Sequence, residues 1–205
     1  MSKFCFAVVI IAALAGQGVA TATVFSDLPS WQAAAGTWAE TTSLGVPDGT
    51  VVNGVTLADG TVLSFAQPLQ VQTLGTGWAT WCCGYTGNIL ESYGTGTWSS
   101  EFWSISPVQG FGMFIEPDPF GVLAITLSLS NGDTVTQNVD GNGGAAFFGW
   151  VGGGVTGLTI SSSADFAEGD FFSSTPEPAY GIPVGSFLAG LVLWQLRQRR
   201  NGLRG

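Results

Sequence analysis

Residues 122–139, VLAITLSLSNGDTVTQNV, decide the fold class of this chain. In the first arm a hydrophobic residue occupies every second position: Leu123, Ile125, Leu127 and Leu129. This period is typical of a β-strand with one buried face. Asn131 and Gly132 follow, a dipeptide typical of a type I′ turn, and a second strand resumes at 134–139. The stretch therefore predicts a β-hairpin.

The β pattern continues on both sides of this hairpin. Further strands are predicted at 37–43, 62–66, 69–74, 99–106, 110–116, 145–150, 155–161 and 166–172. Residues 45–60 and 84–97 look most like loops. About ten short strands separated by frequent turns predict an all-β domain, an antiparallel β-sandwich of jelly-roll type.

One short helix is predicted near the start of this domain. Ser26 or Asp27 can cap its first turn, Pro29 suits the first helical positions, and Gly36 ends it.

Residues 1–22, MSKFCFAVVIIAALAGQGVATA, have the parts of a secretory signal peptide. A basic residue precedes an apolar run, and the small residues at 20–22 suit signal peptidase. An N-terminal core helix is the alternative. Cleavage after Ala22 would remove Cys5, which leaves two cysteines in the exported chain.

Residues 179–196 are uncharged and mostly apolar. As a helix they would reach roughly 27 Å, close to the ~30 Å of a bilayer core. Four arginines follow: Arg197, Arg199, Arg200 and Arg204. Because cationic flanks stay on the cytoplasmic side, the stretch predicts a transmembrane helix with the domain on the far side. A hydrophobic helix packed on the domain is the alternative.

The C-terminal segment resembles a known sorting signal. Pro176-Glu177-Pro178, then the apolar stretch, then the arginine cluster are similar to the PEP-CTERM signal in content and order. The resemblance implies a Gram-negative bacterium that makes exopolysaccharide. It also implies a partner, exosortase, a membrane-embedded cysteine transpeptidase that processes its substrates near the triplet. The exported domain would then be residues 23–175, released from the inner membrane to the cell surface or matrix.

A looser resemblance lies within the domain. The segments GFGMFIEPDPFG (110–121), AAFFGW (145–150) and GLTISSS (157–163) are similar to the β-sandwich ectodomains common among PEP-CTERM proteins. No functional residue is carried over from this likeness.

The charge distribution excludes several classes of partner. All 14 acidic residues fall within residues 23–178, and that segment has no Lys, Arg or His. Because phosphate neutralisation requires cations, nucleic acid is excluded as a partner. Anionic glycans and anionic membranes are disfavoured for the same reason. Neutral sugars and divalent cations remain as ligand classes.

The chain has no histidine. Nucleophilic Ser-His and Cys-His pairs are therefore excluded, and no organic cofactor is indicated. A glycosidase needs only two carboxylates, and Glu101 and Glu116 lie on or beside predicted strands. With so many acids such a pair is expected by chance, and solvated or turn-capping carboxylates are the alternative.

A calcium site is the one metal site that the sequence suggests. Calcium takes several oxygen ligands that include carboxylates and carbonyls, and Asp165, Glu168 and Asp170 supply three acids within six residues. An ordinary acidic loop is the alternative.

Aromatic residues are concentrated between 78 and 103. Trp78, Trp81 and Tyr85 lie among Gly and Thr, which favours exposure, and exposed aromatic rings are a common means of binding sugars. Trp103 alternates with Ile105 on a predicted strand and is expected in the core. Core packing is the alternative for the other three as well.

Cys82 and Cys83 are adjacent in the sequence. An oxidising compartment favours pairing of thiols. Adjacent Cα atoms lie about 3.8 Å apart, below the usual disulfide range of about 4.4–6.8 Å. Three states remain open: a vicinal disulfide that presents an apolar plate beside Trp81, two buried free thiols, or cross-links to another chain.

Together these features predict an exported, non-enzymatic β-sandwich protein with a structural or adhesive role at the cell surface or in the exopolysaccharide matrix. A lectin-like module that binds neutral exopolysaccharide through Trp78, Trp81 and Tyr85 is the second hypothesis. A carboxylate-based glycan-degrading enzyme is the third.

Overall fold

A computed structural model describes residues 21–92 and 100–175 of the chain. The predicted signal peptide up to residue 20, the Pro176-Glu177-Pro178 triplet, the membrane helix at 179–196 and the arginines lie outside the described residues. In the part that is described, no helix has the length and hydrophobicity needed to span a bilayer.

The described residues form strands and one helix. The strands are β1 (Thr23–Phe25), β2 (Ala39–Thr41), β3 (Val51–Thr56), β4 (Val62–Thr73), β5 (Asn88–Ser92), β6 (Ser100–Ile105), β7 (Gly110–Pro117), β8 (Val122–Leu129), β9 (Thr134–Asp140), β10 (Ala146–Val151), β11 (Gly157–Ser162) and β12 (Phe166–Ser174). The helix, α1 (Leu28–Ala35), follows β1. The predicted all-β class is confirmed.

The strands pair antiparallel in one sheet that curls into a nearly closed sandwich. Its order is β1-β10-β7-β12-β5-β4-β6-β11-β8-β9, with β2 paired to β12 and β3 paired to β4. From β5 to β8, successive strands alternate between the two halves of the sandwich. The long strand β4 joins the halves.

The core lies between the halves. Its large, fully buried side chains include Phe111, Met113, Phe148, Trp150, Phe166 and Phe171. Strands β7 and β12 are buried along their whole length, because a second apolar layer covers their outer face. Burying each such side chain contributes about 1.5–3 kcal/mol, so this double layer anchors the elements that carry the site.

Helix α1 forms part of the outer layer. Asp27 caps it by accepting a hydrogen bond from the Ser30 amide at 2.8 Å, Pro29 lies in the first turn, and Gly36 ends it with φ 72°. The fully buried Trp31 donates from Nε1 to the carbonyl of Trp150 at 2.9 Å. The predicted helix is therefore confirmed, and it is held against β10.

Two predicted loops contain strands. β3 lies within 45–60 and β5 within 84–97, while the predicted strands at 62–66 and 69–74 are both parts of β4. Along one edge, β4 pairs with β6 at Leu63–Phe65 and with β5 at Leu69–Thr73. Pro68 lies between these two segments, where its missing amide costs no hydrogen bond of the ladder.

The β8–β9 hairpin is present, but its predicted type I′ turn is wrong. Such a turn needs a positive φ at both central residues. Gly132 has φ 96°, whereas the only described non-glycine residues with positive φ are Cys83 and Asp170. The Gly132 amide donates to Leu129 O at 2.9 Å, and the Leu129 amide donates to Asp133 O at 2.8 Å. The loop therefore has three residues, with glycine in the left-handed position.

Candidate functional site

The segment 74–87, here called the aromatic loop, connects β4 to β5 and covers the outer face of β12. Trp78 is only 8% exposed and packs on Ile89 and Ala167. The predicted exposure of Trp78 is therefore wrong. A glycine in β12 permits the close approach of the neighbouring Ile89 and Trp81 side chains, since a Cβ on Gly169 would lie 2.7 Å from Ile89 and 3.2 Å from the Trp81 ring.

Trp81 and Tyr85 are half-buried. Their ring centroids lie 6.1 Å apart, and Trp81 packs against both apolar clusters of the outer layer. The loop therefore does not present three free aromatic faces, and Tyr85 lines a cleft.

Glu116 of β7 holds the aromatic loop in place. Its carboxylate accepts hydrogen bonds from Thr80 Oγ1 at 3.0 Å and from the Gly143 amide at 2.9 Å. Burial raises the pKa of Glu116, and these donors act in the opposite direction. This carboxylate joins two loops to the sheet.

The cleft forms where the partner of β12 changes. Its Ala167–Gly169 segment pairs with β5, and its Phe171–Ser173 segment pairs with β2. The ends of β2 and β5 leave an open cleft of about 570 Å³. It is lined by Glu40, Thr42, Ser43, Thr73, Cys83, Gly84, Tyr85, Thr86, Gly87, Asn88 and Asp170.

Tyr85 and Asn88 build the floor of the cleft. Tyr85 Oη donates to Asn88 O at 2.6 Å, with Thr42 O at 3.2 Å. Burial raises the pKa of the Tyr85 phenol well above its ordinary value. The Asn88 side chain accepts from the Leu44 amide at 3.0 Å and donates to Thr73 Oγ1 at 3.1 Å. These bonds fix the floor to both flanking strands.

Asp170 and Glu40 form one wall of the cleft. Asp170 lies at the bulge of β12 with φ 51°, and its side chain is 8% exposed. Glu40 lies beside it and lines the same cleft. The pKa of Asp170 is raised to about 7, mainly by burial and to a smaller extent by the negative charge of Glu40.

Cys82 and Cys83 are paired with each other in the structure, across a trans peptide with Cα atoms 3.8 Å apart. Cys82 packs on the outer apolar layer, whereas Cys83 is exposed and lines the cleft. Cys83 has φ 66°, the left-handed conformation. The apolar plate beside Trp81 remains a prediction.

The three predicted calcium ligands do not share one site. Asp165 accepts from Ser92 Oγ at 2.8 Å, Glu168 is fully buried beside Glu101, and Asp170 lines the cleft. Glu168 and Asp170 would share one face of a regular strand, but the bulge between Gly169 and Phe172 breaks this alternation and separates their side chains. Over 21–92 and 100–175, no three Asp, Glu or Cys side chains form a metal cluster.

Glu101 and Glu168 meet in the interior. They are 1% and 0% exposed, and Trp103 Nε1 donates to Glu101 at 3.0 Å. Burial raises the pKa of Glu101 to about 7 and the pKa of Glu168 well above its ordinary value. A glycosidase separates its two carboxyl groups by about 5–9.5 Å around a substrate, whereas these two are in contact beneath the sheet.

The sequence analysis missed an exposed aromatic residue on the opposite half. Phe102 of β6 is 52% exposed. It lines a shallow groove of about 370 Å³ whose other outward-facing residues include Ser64, Ser104, Ser128 and Thr159. The sequence could have predicted this outward position, because Phe102 lies on a strand between Glu101 and Trp103, which are both buried.

Comparison with protein-family models finds no match, and comparison with curated proteins finds none either. Among solved structures, the chain is similar to that of CsCBM6-3 from Clostridium stercorarium in complex with cellobiose. The two are 13% identical over 66% of this chain and 98% of the other, with a TM-score of 0.31. This similarity is too low to assign a function.

Proposed function

We propose that this chain is an exported, non-enzymatic surface or matrix protein whose cleft binds a neutral saccharide. The observation that carries the saccharide proposal is the composition of the cleft wall. Hydroxyl, amide and carboxylate groups converge beside Tyr85 on a floor fixed by hydrogen bonds. Sugars offer hydroxyl groups to such acceptors and C–H faces to an aromatic ring.

The charge balance supports a neutral ligand. Since residues 23–178 carry no basic side chain, a sugar acid or a phosphate in the cleft would face Glu40 and Asp170 with no lysine, arginine or histidine of the domain to bind it.

The carboxylates support a non-enzymatic role. Glu116 holds loops together and Glu101 is sealed against Glu168. In the cleft, Glu40 and Asp170 lie on one wall, whereas a glycosidase places its two carboxyl groups on either side of the scissile bond.

Export and sorting rest on the sequence. The signal peptide, the Pro176-Glu177-Pro178 triplet, the apolar segment and the arginines support delivery by exosortase from the inner membrane to the cell surface or matrix. In the producing cell, loss of exosortase is expected to leave the full-length chain in the membrane fraction. A mature chain that still carries residues 179–205 outside cells with active exosortase would contradict the sorting proposal.

Saccharide binding is tested with the purified full-length chain in a detergent without a sugar headgroup. A panel of neutral oligosaccharides, with the producer's own exopolysaccharide, is titrated against wild type and Thr86→Trp. Thr86 is exposed and lines the cleft, so tryptophan there fills the cleft without altering the core. We expect saturable binding that Thr86→Trp abolishes and the matched exposed control Thr134→Trp retains. Absence of binding across the panel would leave a purely structural role.

A further inference from the structure

Asp170 is a buried carboxylate with an unsatisfied oxygen. Its side chain is 92% covered, and its Oδ1 atom has no hydrogen-bond partner. Buried polar groups in native proteins are almost always partnered, and an ionised carboxylate is among the costliest groups to leave alone. Because Asp170 lines the cleft, a ligand of the cleft can reach its carboxyl group.

The group beside Asp170 cannot neutralise it. Glu40 is also a carboxylate, in contact with Asp170 and exposed to solvent at the rim. Over 21–92 and 100–175 the sequence contains no lysine, arginine or histidine. A cation at this pair must therefore come from solution.

We propose that Glu40 and Asp170 bind one divalent cation of the calcium class at the wall of the cleft. Calcium accepts a mixed set of six to eight oxygen ligands and retains waters. The two carboxylates would supply the charge, and water with the hydroxyl oxygens of Thr42 and Ser43 would complete the shell. The absence of imidazole in the chain disfavours zinc.

The two ligands are distant in sequence but joined by the sheet. Glu40 lies in β2 and Asp170 precedes the segment of β12 that pairs with it, with Phe172 opposite Glu40. A bound ion would connect the first and last parts of the domain at the point where β12 changes its partner. This inference does not rest on the binding of a saccharide.

Terbium luminescence and calcium calorimetry on the full-length chain test the proposal. Tyr85 lines the cleft and Trp81 lies beside it, so both can sensitise a terbium ion at Asp170. We expect one saturable terbium site that calcium displaces, and a calcium-dependent rise in the unfolding temperature. Glu40→Gln and Asp170→Asn should each weaken the affinity about tenfold or more, because ligand charge sets calcium affinity.

The variants are chosen to preserve the fold. Glu40 is exposed, and asparagine tolerates the left-handed backbone of position 170. Asp118→Asn removes one exposed charge elsewhere and is the matched control. Saturable binding that is lost in the two cleft variants and kept in Asp118→Asn supports the site. Absence of a saturable site at millimolar calcium, or equal weakening in all three variants, would overturn it.

Discussion

Glu101 of β6 and Glu168 of β12 face each other across the interior of the sandwich, both at least 99% buried. Both oxygens of Glu168 and one of Glu101 have no hydrogen-bond donor among the described residues. Two ionised carboxylates cannot share such a site, so the pair holds at least one proton near neutral pH. This pair makes the stability of the fold depend on pH.

We expect the free energy of unfolding to fall as the pH rises from about 4 to 8. Burial raises the pKa of Glu101 from 4.5 to about 7, and the pKa of Glu168 further. The folded state therefore binds more protons than the unfolded state across this range, so its stability is greatest in acid. The change should be on the order of a few kcal/mol. Urea titrations at several pH values, with chelator present, measure it.

Glu168→Gln should flatten this dependence. The amide has the same shape and cannot ionise, so the variant should unfold at a higher temperature than wild type at pH 8 and gain little at pH 4. Asp118→Asn, an exposed acid to amide change, is the control. A pH profile unchanged from wild type would show that the interior pair does not set the stability.

Glu116→Leu should loosen the aromatic loop. Leucine has no oxygen to accept the bonds that Thr80 Oγ1 and the Gly143 amide donate to one carboxylate oxygen of Glu116, and an unsatisfied buried group costs about 1–3 kcal/mol. Denaturant unfolding measures the loss, and faster hydrogen exchange at residues 78–87 than in wild type locates it. Unchanged exchange there would show that other contacts hold the loop.

Trp31→Phe should destabilise the attachment of α1. Phenylalanine keeps most of the aromatic packing but leaves the buried carbonyl of Trp150 without its donor at 2.9 Å, at a cost of about 1–3 kcal/mol. Trp38→Phe is the matched control, because Trp38 is 36% exposed. Equal stability of the two variants would contradict the role of this bond.

The exported chain should contain no free thiol. Under denaturing, non-reducing conditions its intact mass should lie two hydrogens below that of the reduced chain, since Cys82 and Cys83 are paired with each other. A mass equal to the dithiol form would favour two free thiols, and a disulfide-linked dimer would favour cross-linking between chains.

Local signals predicted most of the sheet. The alternation of 122–129 identifies β8, which has one buried face, and the uncharged apolar run of 110–115 identifies β7, which is buried on both faces. β3 and β5 were missed since each is short and is defined by its pairing to β4. Their own residues, such as Asn53 and Asn88, favour turns.

The cleft could be predicted only in part. Tyr85, Cys83 and Asp170 were candidates from their residue types, and each lines it. Glu40 could not be joined to Asp170 from the sequence, because the contact depends on the pairing of β2 with the far end of β12. The burial of Trp78 likewise depends on Ile89 and Ala167, which lie in other strands.

Amide chemical-shift mapping with the tightest-binding neutral glycan tests the central claim most directly. The account predicts that saturating ligand shifts the amides of residues 40–43, 83–88 and 170, and leaves the groove around Phe102 unchanged. Shifts centred on Phe102, Ser128 and Thr159 would place the saccharide on the opposite half of the sandwich. Such a result would contradict the assignment of the cleft as the binding site.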